Sequence, residues 1–259
     1  LLIFAIVGVL KETLPRKKYW LWFAVAFPFI AAWLLLGGLG LQPVETSKLG
    51  GILLTIIIGV TGISFSLPIG IVLALGRRSN MPALKTVCVL FIEFIRGVPL
   101  ITLLFVASTM LTYFLPPGST FDLLMRVLIM VTLFSSAYIA EVVRGGLQGL
   151  PPGQYEAADS LGLTYWKAHR LIILPQALKI SIPGIVNTFI GLFKDTTLVL
   201  IIGMMDIVGL GRARLNDPYW LGLAGELYLF IAIFFFICCF CMSRYSINLE
   251  NKLSTGRRD

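Results

Sequence analysis

Apolar residues in this chain fall into long runs separated by short polar interruptions, and run length decides what each can be. A bilayer-crossing helix needs about 17–25 predominantly apolar residues. Six stretches meet that need: roughly Trp20 to Leu41, Ile52 to Leu75, Thr86 to Leu115, Leu123 to Val143, Ile180 to Met205, and Glu226 to Met242. The opening run, Leu1 to Leu10, is too short, which predicts the end of an earlier span whose upstream part is absent. A signal peptide fits less well, because no basic region precedes the run and no small-residue cleavage site follows it. The pattern predicts an all-α integral membrane protein.

The interruptions give the orientation. Lys11, Arg16, Lys17 and Lys18 precede Tyr19, Trp20 and Trp22, which have the character of an interfacial aromatic belt. Most other Lys and Arg fall in segments 77–85, 144–179 and 244–259, the last holding Arg244, Lys252, Arg257 and Arg258. The alternate loops are poor in them, although Arg212 and Arg214 dilute the contrast. Pro116, Pro117, Gly118 and Asp122 make an outer turn. Basic loops stay in the cytoplasm, so segment 144–179 and the C-terminus are expected there.

Composition sharpens the class. Charged residues make up 13% of the chain and hydrophobic ones 58%, with a mean hydropathy of +0.91. Soluble domains carry about 25% charge. The net charge of +8 therefore reads as topology, and no basic face with stacking aromatics points to nucleic acid. Cys88, Cys238, Cys239 and Cys241 lie inside apolar spans, where a thiol behaves as a small hydrophobe. No metal site is expected, and a single histidine, His169, excludes His-rich metal or triad chemistry. His169 itself reads as a solvated helix residue.

The longest interruption, Gln154 to Pro175, carries the most information. Pro151, Pro152 and Gly153 punctuate its start, and Glu156 sits near the positive end of a short helix. Ala157 and Ala158 favour helix, and Gly162 ends it. Ala158 and Gly162, four apart, would share a shallow face suited to docking against another protein. A second helical piece, Tyr165 to Leu174, is expected to stop at Pro175.

The run Glu156-Ala157-Ala158, three residues, Gly162, nine residues, Ile172, one residue, Leu174-Pro175 resembles the EAA signature of ATP-binding-cassette importer permeases. The resemblance implies a type I importer transmembrane domain, with about five core helices plus one or more extra N-terminal helices. It assigns docking on an ATPase subunit to Glu156, Ala157, Ala158, Gly162, Leu174 and Pro175. It divides the chain into N-terminal spans over 1–48, the transporter domain over 49–246 with its coupling loop at 150–178, and a basic cytoplasmic tail over 247–259.

Charges inside spans cost roughly 2.5–3.5 kcal/mol each on insertion scales, so they pair or line cavities. Glu93 and Arg96 are three apart and are expected to satisfy each other, with Gly97 and Pro99 following as a helix break. This set reads as a structural pair or gate. Glu141 and Arg144 repeat the spacing. Asn187, Lys194, Asp195 and Thr196 are the candidates for a substrate pathway, together with Glu141, because an ammonium and a carboxylate on the ligand would complement a fixed anion and cation. The alternative is that these charges only lock helices together.

FIEFIRGVPLITLLF, AYIAEVVRGGLQGL and GLFKDTTLVLIIG are similar to segments of polar and general L-amino acid importers in the same superfamily. The resemblance implies a permease subunit of a bacterial inner membrane, of general or of narrow specificity. Its implied partners are a dimeric ATPase, a second homologous permease, a periplasmic amino-acid-binding protein, an L-amino acid substrate and lipid. The chain has no G-x-x-x-x-G-K-[ST] phosphate loop, so it is expected to be non-enzymatic and to hold no cofactor, with ATP and Mg bound by the ATPase. A secondary transporter would also place charges in the membrane but would need no such docking loop.

Overall fold

In hydrocarbon every backbone N–H and C=O must be satisfied within the segment, so long apolar runs become helices. The computed structural model describes residues 45–110, 113 and 121–254. Its helices are α1 (Gly51–Arg77), α2 (Pro82–Gly97), α3 (Leu100–Phe105), α4 (Leu123–Gln148), α5 (Gly153–Ser160), α6 (Tyr165–Ala168), α7 (Leu174–Asp195), α8 (Ile207–Arg214) and α9 (Ala224–Ser254). The spans expected before residue 45, the Pro116-Pro117-Gly118 turn and the last tail residues lie outside the described part.

Four elements are long and apolar enough to cross a membrane: Gly51–Arg77, Leu123–Gln148, Tyr165–Ile202 and Ala224–Lys252. A fifth crossing is possible if α2 and Leu100–Met110 act as one bent pair, kinked by 102°. The expected continuous span from Thr86 to Leu115 is therefore broken. Val98 is extended, at φ −108° and ψ 132°, because the ring of Pro99 disfavours helix in the residue before it. Pro99 then starts α3, its carbonyl accepting from the N–H groups of Thr102 and Leu103. It is a boundary between two helices and not a missing rung within one.

The helix beginning at Tyr165 does not stop at Pro175. A π turn, His169–Ile173, joins α6 directly to α7, and Pro175 occupies the first turn of α7, where a missing N–H costs little. The last helix also runs well past the expected Met242, to Ser254.

α1 makes its most extensive contact with α4, α4 packs next against α7, and α7 against α9. Apolar burial adds little between helices already in lipid, so close approach of small residues carries the packing. A methyl at Gly70 of α1 would lie 2.5 Å from Ile139 Cγ2, and one at Gly59 would lie 2.9 Å from the Phe193 ring. At the Gly51 end, Asp206 is fully buried and caps α8, its Oδ1 accepting from the Gly209 N–H at 2.8 Å. Burial pushes its carboxyl pKa up, against the backbone N–H groups that hold it down.

Two adjacent glycines on α4 separate packing from propensity. A methyl at Gly146 would lie 2.5 Å from the Ala177 carbonyl oxygen, whereas one at Gly145 meets nothing within 4 Å. Gly146→Ala is expected to destabilise by about 1–3 kcal/mol through overpacking. Gly145→Ala is expected to be neutral or slightly stabilising. Thermal midpoints of the two variants in detergent check this, and equal midpoints would refute it.

Candidate functional site

The segment after α4 is held against the end of the bundle where α1 finishes. α5 exposes Glu156 and Ala157 but buries Ala158, which is 1% exposed. Glu156 lies in the first turn, where the helix dipole favours it. Gly162 adopts φ +65°, a left-handed conformation glycine takes without strain, and the Leu163 N–H reaches back to the Ala158 carbonyl at 3.2 Å. Gly162 thus terminates α5 from outside the helix. The shallow face expected from Ala158 and Gly162 together does not form, because the four-residue rule needs both in helix. Leu174 is half-buried and Pro175 exposed, one turn along α7.

Side chains not singled out for docking fasten this segment. The Tyr155 hydroxyl donates to the Leu147 carbonyl of α4 at 3.0 Å and accepts from Arg78 Nη1 at 2.9 Å. Gln176 of α7 donates to Gln154 Oε1 at 2.8 Å and to the Ile172 carbonyl in the π turn at 3.1 Å. His169 is less free than expected. Its ring is half-buried with Nδ1 2.9 Å from the Tyr165 carbonyl, and the Tyr165 ring centroid lies 3.9 Å away. It lines a cavity of about 240 Å³ with Tyr155, Arg78, Asn80 and Asp159.

Next to this segment lies a cluster of five charges from three helices. Arg77 at the end of α1 bonds Glu141 at 2.6 Å and Glu93 at 2.8 Å. Arg144 bonds Glu141 at 2.8 Å, as its three-residue spacing predicts. Glu93 and Arg96 do not simply satisfy each other. They are 3.9 Å apart, and Arg96 stands 3.7 Å from Glu141. Arg77 intervenes because the α1 chain end comes down beside α2, a proximity that spacing along α2 alone does not reveal. Gly97 closes α2 with open space beside it.

A cavity of about 310 Å³ lies between α4 and α7, lined by Phe134, Ser135, Tyr138, Asn187, Thr188, Gly191, Leu192 and Asp195. Among the substrate-pathway candidates, Asn187 and Asp195 meet here. Lys194 does not line it and is exposed, because adjacent helical residues diverge by about 100°. Thr196 is buried and spends its hydroxyl on the Phe193 carbonyl at 2.7 Å, and Glu141 belongs to the charge cluster. Ser135 and Thr188 join the site instead. The Ser135 hydroxyl is buried with no hydrogen-bond partner among the described residues, so the cavity presents an unused polar group beside a carboxylate and an amide. The signal for Ser135 and Tyr138 was their three-residue spacing on α4. Arg96 sits 5.6 Å from the Tyr138 ring centroid, linking the charge cluster to the cavity wall.

Residues 66–255 match the model of a family described as binding-protein-dependent transport system inner membrane component. Over 271 aligned residues the chain is 58% identical to the glutamate/glutamine/aspartate/asparagine transport system permease protein BztC of Rhodobacter capsulatus, covering 98% of this chain and 62% of that protein. It is 54% identical over 255 residues to the inner membrane amino-acid ABC transporter permease protein YhdY of Escherichia coli, covering 98% and 70%. The chain therefore spans less than two thirds of the first relative's length. Among solved structures, an amino acid ABC transporter crystallised with histidines aligns with a TM-score of 0.68 at 30% identity, over 78% of this chain and 92% of that one. The inward-facing MetNI methionine transporter aligns at 0.57 and 18% identity, covering 91% and 99%, a likeness of fold.

The charge cluster makes a stability prediction. Glu141 is the most enclosed carboxylate, with its side chain 15% exposed against 53% for Glu93. Removing one partner of a buried pair costs about 3–5 kcal/mol, an upper limit for this partly exposed group, whereas exposed pairs contribute about 0–1 kcal/mol. Glu141→Gln is expected to lower the thermal midpoint clearly more than Glu93→Gln. The reverse order would show that Glu93 anchors the cluster.

Proposed function

The chain belongs to the family of binding-protein-dependent transport inner membrane components, and from that premise we propose that it is the pathway subunit of an ATP-driven amino-acid importer. The observation that carries this reading is α5. It is a short helix outside the spans that exposes Glu156 and Ala157 while fastened to α1, α4 and α7. A surface that is exposed yet held from behind suits a lever pushed by a separate ATPase. In this mechanism ATP closes the ATPase pair, α5 moves with it, and the bundle alternates between outward and inward openings. The distribution of Lys and Arg supports a cytoplasmic α5 and C-terminus.

The substrate reading rests on the cavity between α4 and α7. The Asp195 carboxylate suits a substrate ammonium. Asn187 and the unpartnered Ser135 hydroxyl offer hydrogen bonds to a carboxylate or amide, whereas the Thr188 hydroxyl already donates to the Gly184 carbonyl at 2.9 Å and can only accept. A relative named for glutamate, glutamine, aspartate and asparagine transport is compatible with a cavity that carries these polar groups. We assign acidic and amide L-amino acids as the substrate class, delivered by a periplasmic binding protein to a pair formed with a second, homologous permease.

Reconstituted in lipid with its ATPase, second permease and binding protein, the complex should show ATP hydrolysis stimulated by these four amino acids. Asp195→Ala should weaken substrate stimulation about tenfold or more, the scale of one lost charge-assisted contact of 1.5–3 kcal/mol, with the ATPase still co-purifying. Unchanged assembly, affinity and uptake in Asp195→Ala would overturn the cavity assignment. Replacing Gly162 by valine should strain the left-handed end of α5, leaving membrane insertion intact but uncoupling hydrolysis from uptake. Normal transport by that variant would count against α5 as the lever.

A further inference from the structure

Resting on the importer reading, we propose that Tyr155 is the positioning residue that carries movement of α5 into the bundle. A lever works only if something stiff joins it to the load. The exposed residues of α5, Glu156 and Ala157, touch the solvent side, so the joint must come from its other face. Tyr155 is half-buried on that face and packs against the cluster built on Ile139, Val143, Leu147 and Ile173.

Its hydroxyl is used twice. It donates to the backbone carbonyl of Leu147 on α4 and accepts from Arg78 just past the end of α1. The Arg78 guanidinium carbon also lies 5.4 Å from the centroid of the same ring, within cation–π range. One side chain of α5 thus grips the ends of two spanning helices that are themselves packed together over their length. Gln176 ties α5 to the third, α7, through Gln154.

The load lies one residue away. Arg77, next to Arg78, bonds both Glu141 and Glu93. Arg96 in that cluster rests on Tyr138, which lines the cavity between α4 and α7. An unbroken line of side-chain contacts therefore runs from Tyr155 to the cavity wall. Contiguity alone does not establish coupling, so the test must read coupling itself.

The test uses the whole complex in proteoliposomes and measures amino acid taken up per ATP hydrolysed. Tyr155→Phe keeps the ring and its stacking on Arg78 but removes both hydrogen bonds. The expected result is a fall in that ratio of about fivefold or more, the lower end of usual allosteric coupling. ATPase co-purification and thermal midpoint should stay close to wild type. Arg78→Gln should lower the ratio too, and the double variant should lose less than the two single losses combined, because both remove the Arg78–Tyr155 hydrogen bond. A wild-type ratio in Tyr155→Phe, or purely additive losses in the double variant, overturns the joint while leaving the importer reading intact. Loss of ATPase co-purification in Tyr155→Phe would make the phenol a structural prop and overturn it as well. If the wild-type complex neither hydrolyses ATP in response to amino acid nor takes it up, the importer reading fails, and the joint falls with it.

Discussion

An ionised carboxylate inside a helix bundle is costly unless it is paired or hydrogen-bonded, and the convergence of three helices in this structure is arranged around that constraint. Glu141 is the most enclosed acid of the charge cluster, and three guanidiniums surround it, one each from α1 and α2 and one from its own helix α4. Leaving it unpaired would cost several kcal/mol, so the three helices are held in one relative position where they converge. Arg77 is the last residue of α1, which is why that helix end cannot drift from α4.

Above the cluster, packing is by shape and not by charge. Glycines on α1 admit the side chains of α4 and α7 to distances that any larger residue would obstruct. Tight approach there leaves room elsewhere. Between α4 and α7 the helix faces carry Ser135, Asn187, Thr188 and Asp195 among Phe134, Tyr138 and Leu192, and a cavity of mixed polar and apolar lining results. The break between α2 and α3 belongs to the same economy of polar groups. Its freed backbone turns at Val98 and Pro99, and the Arg126 guanidinium of α4 donates to the Ala107 and Ser108 carbonyls of the adjoining π turn.

The charge cluster is linked on one side to α5, through the end of α1, and on the other to the cavity, where Arg96 meets Tyr138. Adjacent residues at the end of α1 point in two directions: Arg78 toward Tyr155 of α5, and Arg77 toward Glu141 and Glu93. The end of α1 therefore joins α5 to the charge cluster through two neighbouring side chains.

Run length and charge placement by themselves determined the helical membrane class, four of the candidate crossings, and the position of the short helix with Glu156 near its start. These are local properties: hydrocarbon thickness, backbone satisfaction and capping need no partner. Spacing along one helix also foretold the Glu141–Arg144 pair. Only the tertiary structure decided the rest. Glu93 turned from Arg96 toward Arg77 because a different helix arrived with a better-placed guanidinium. Lys194 left the cavity because its azimuth on α7 points elsewhere, and Thr196 because it lies past the end of α7, buried with its hydroxyl bonded to the Phe193 carbonyl. Pro175, read as a stop, became the first turn of α7 because a π turn ahead of it re-phased the chain. Tyr155 and Gln176 gained their roles from neighbours 77 and 22 residues away in sequence, distances over which no periodicity carries information.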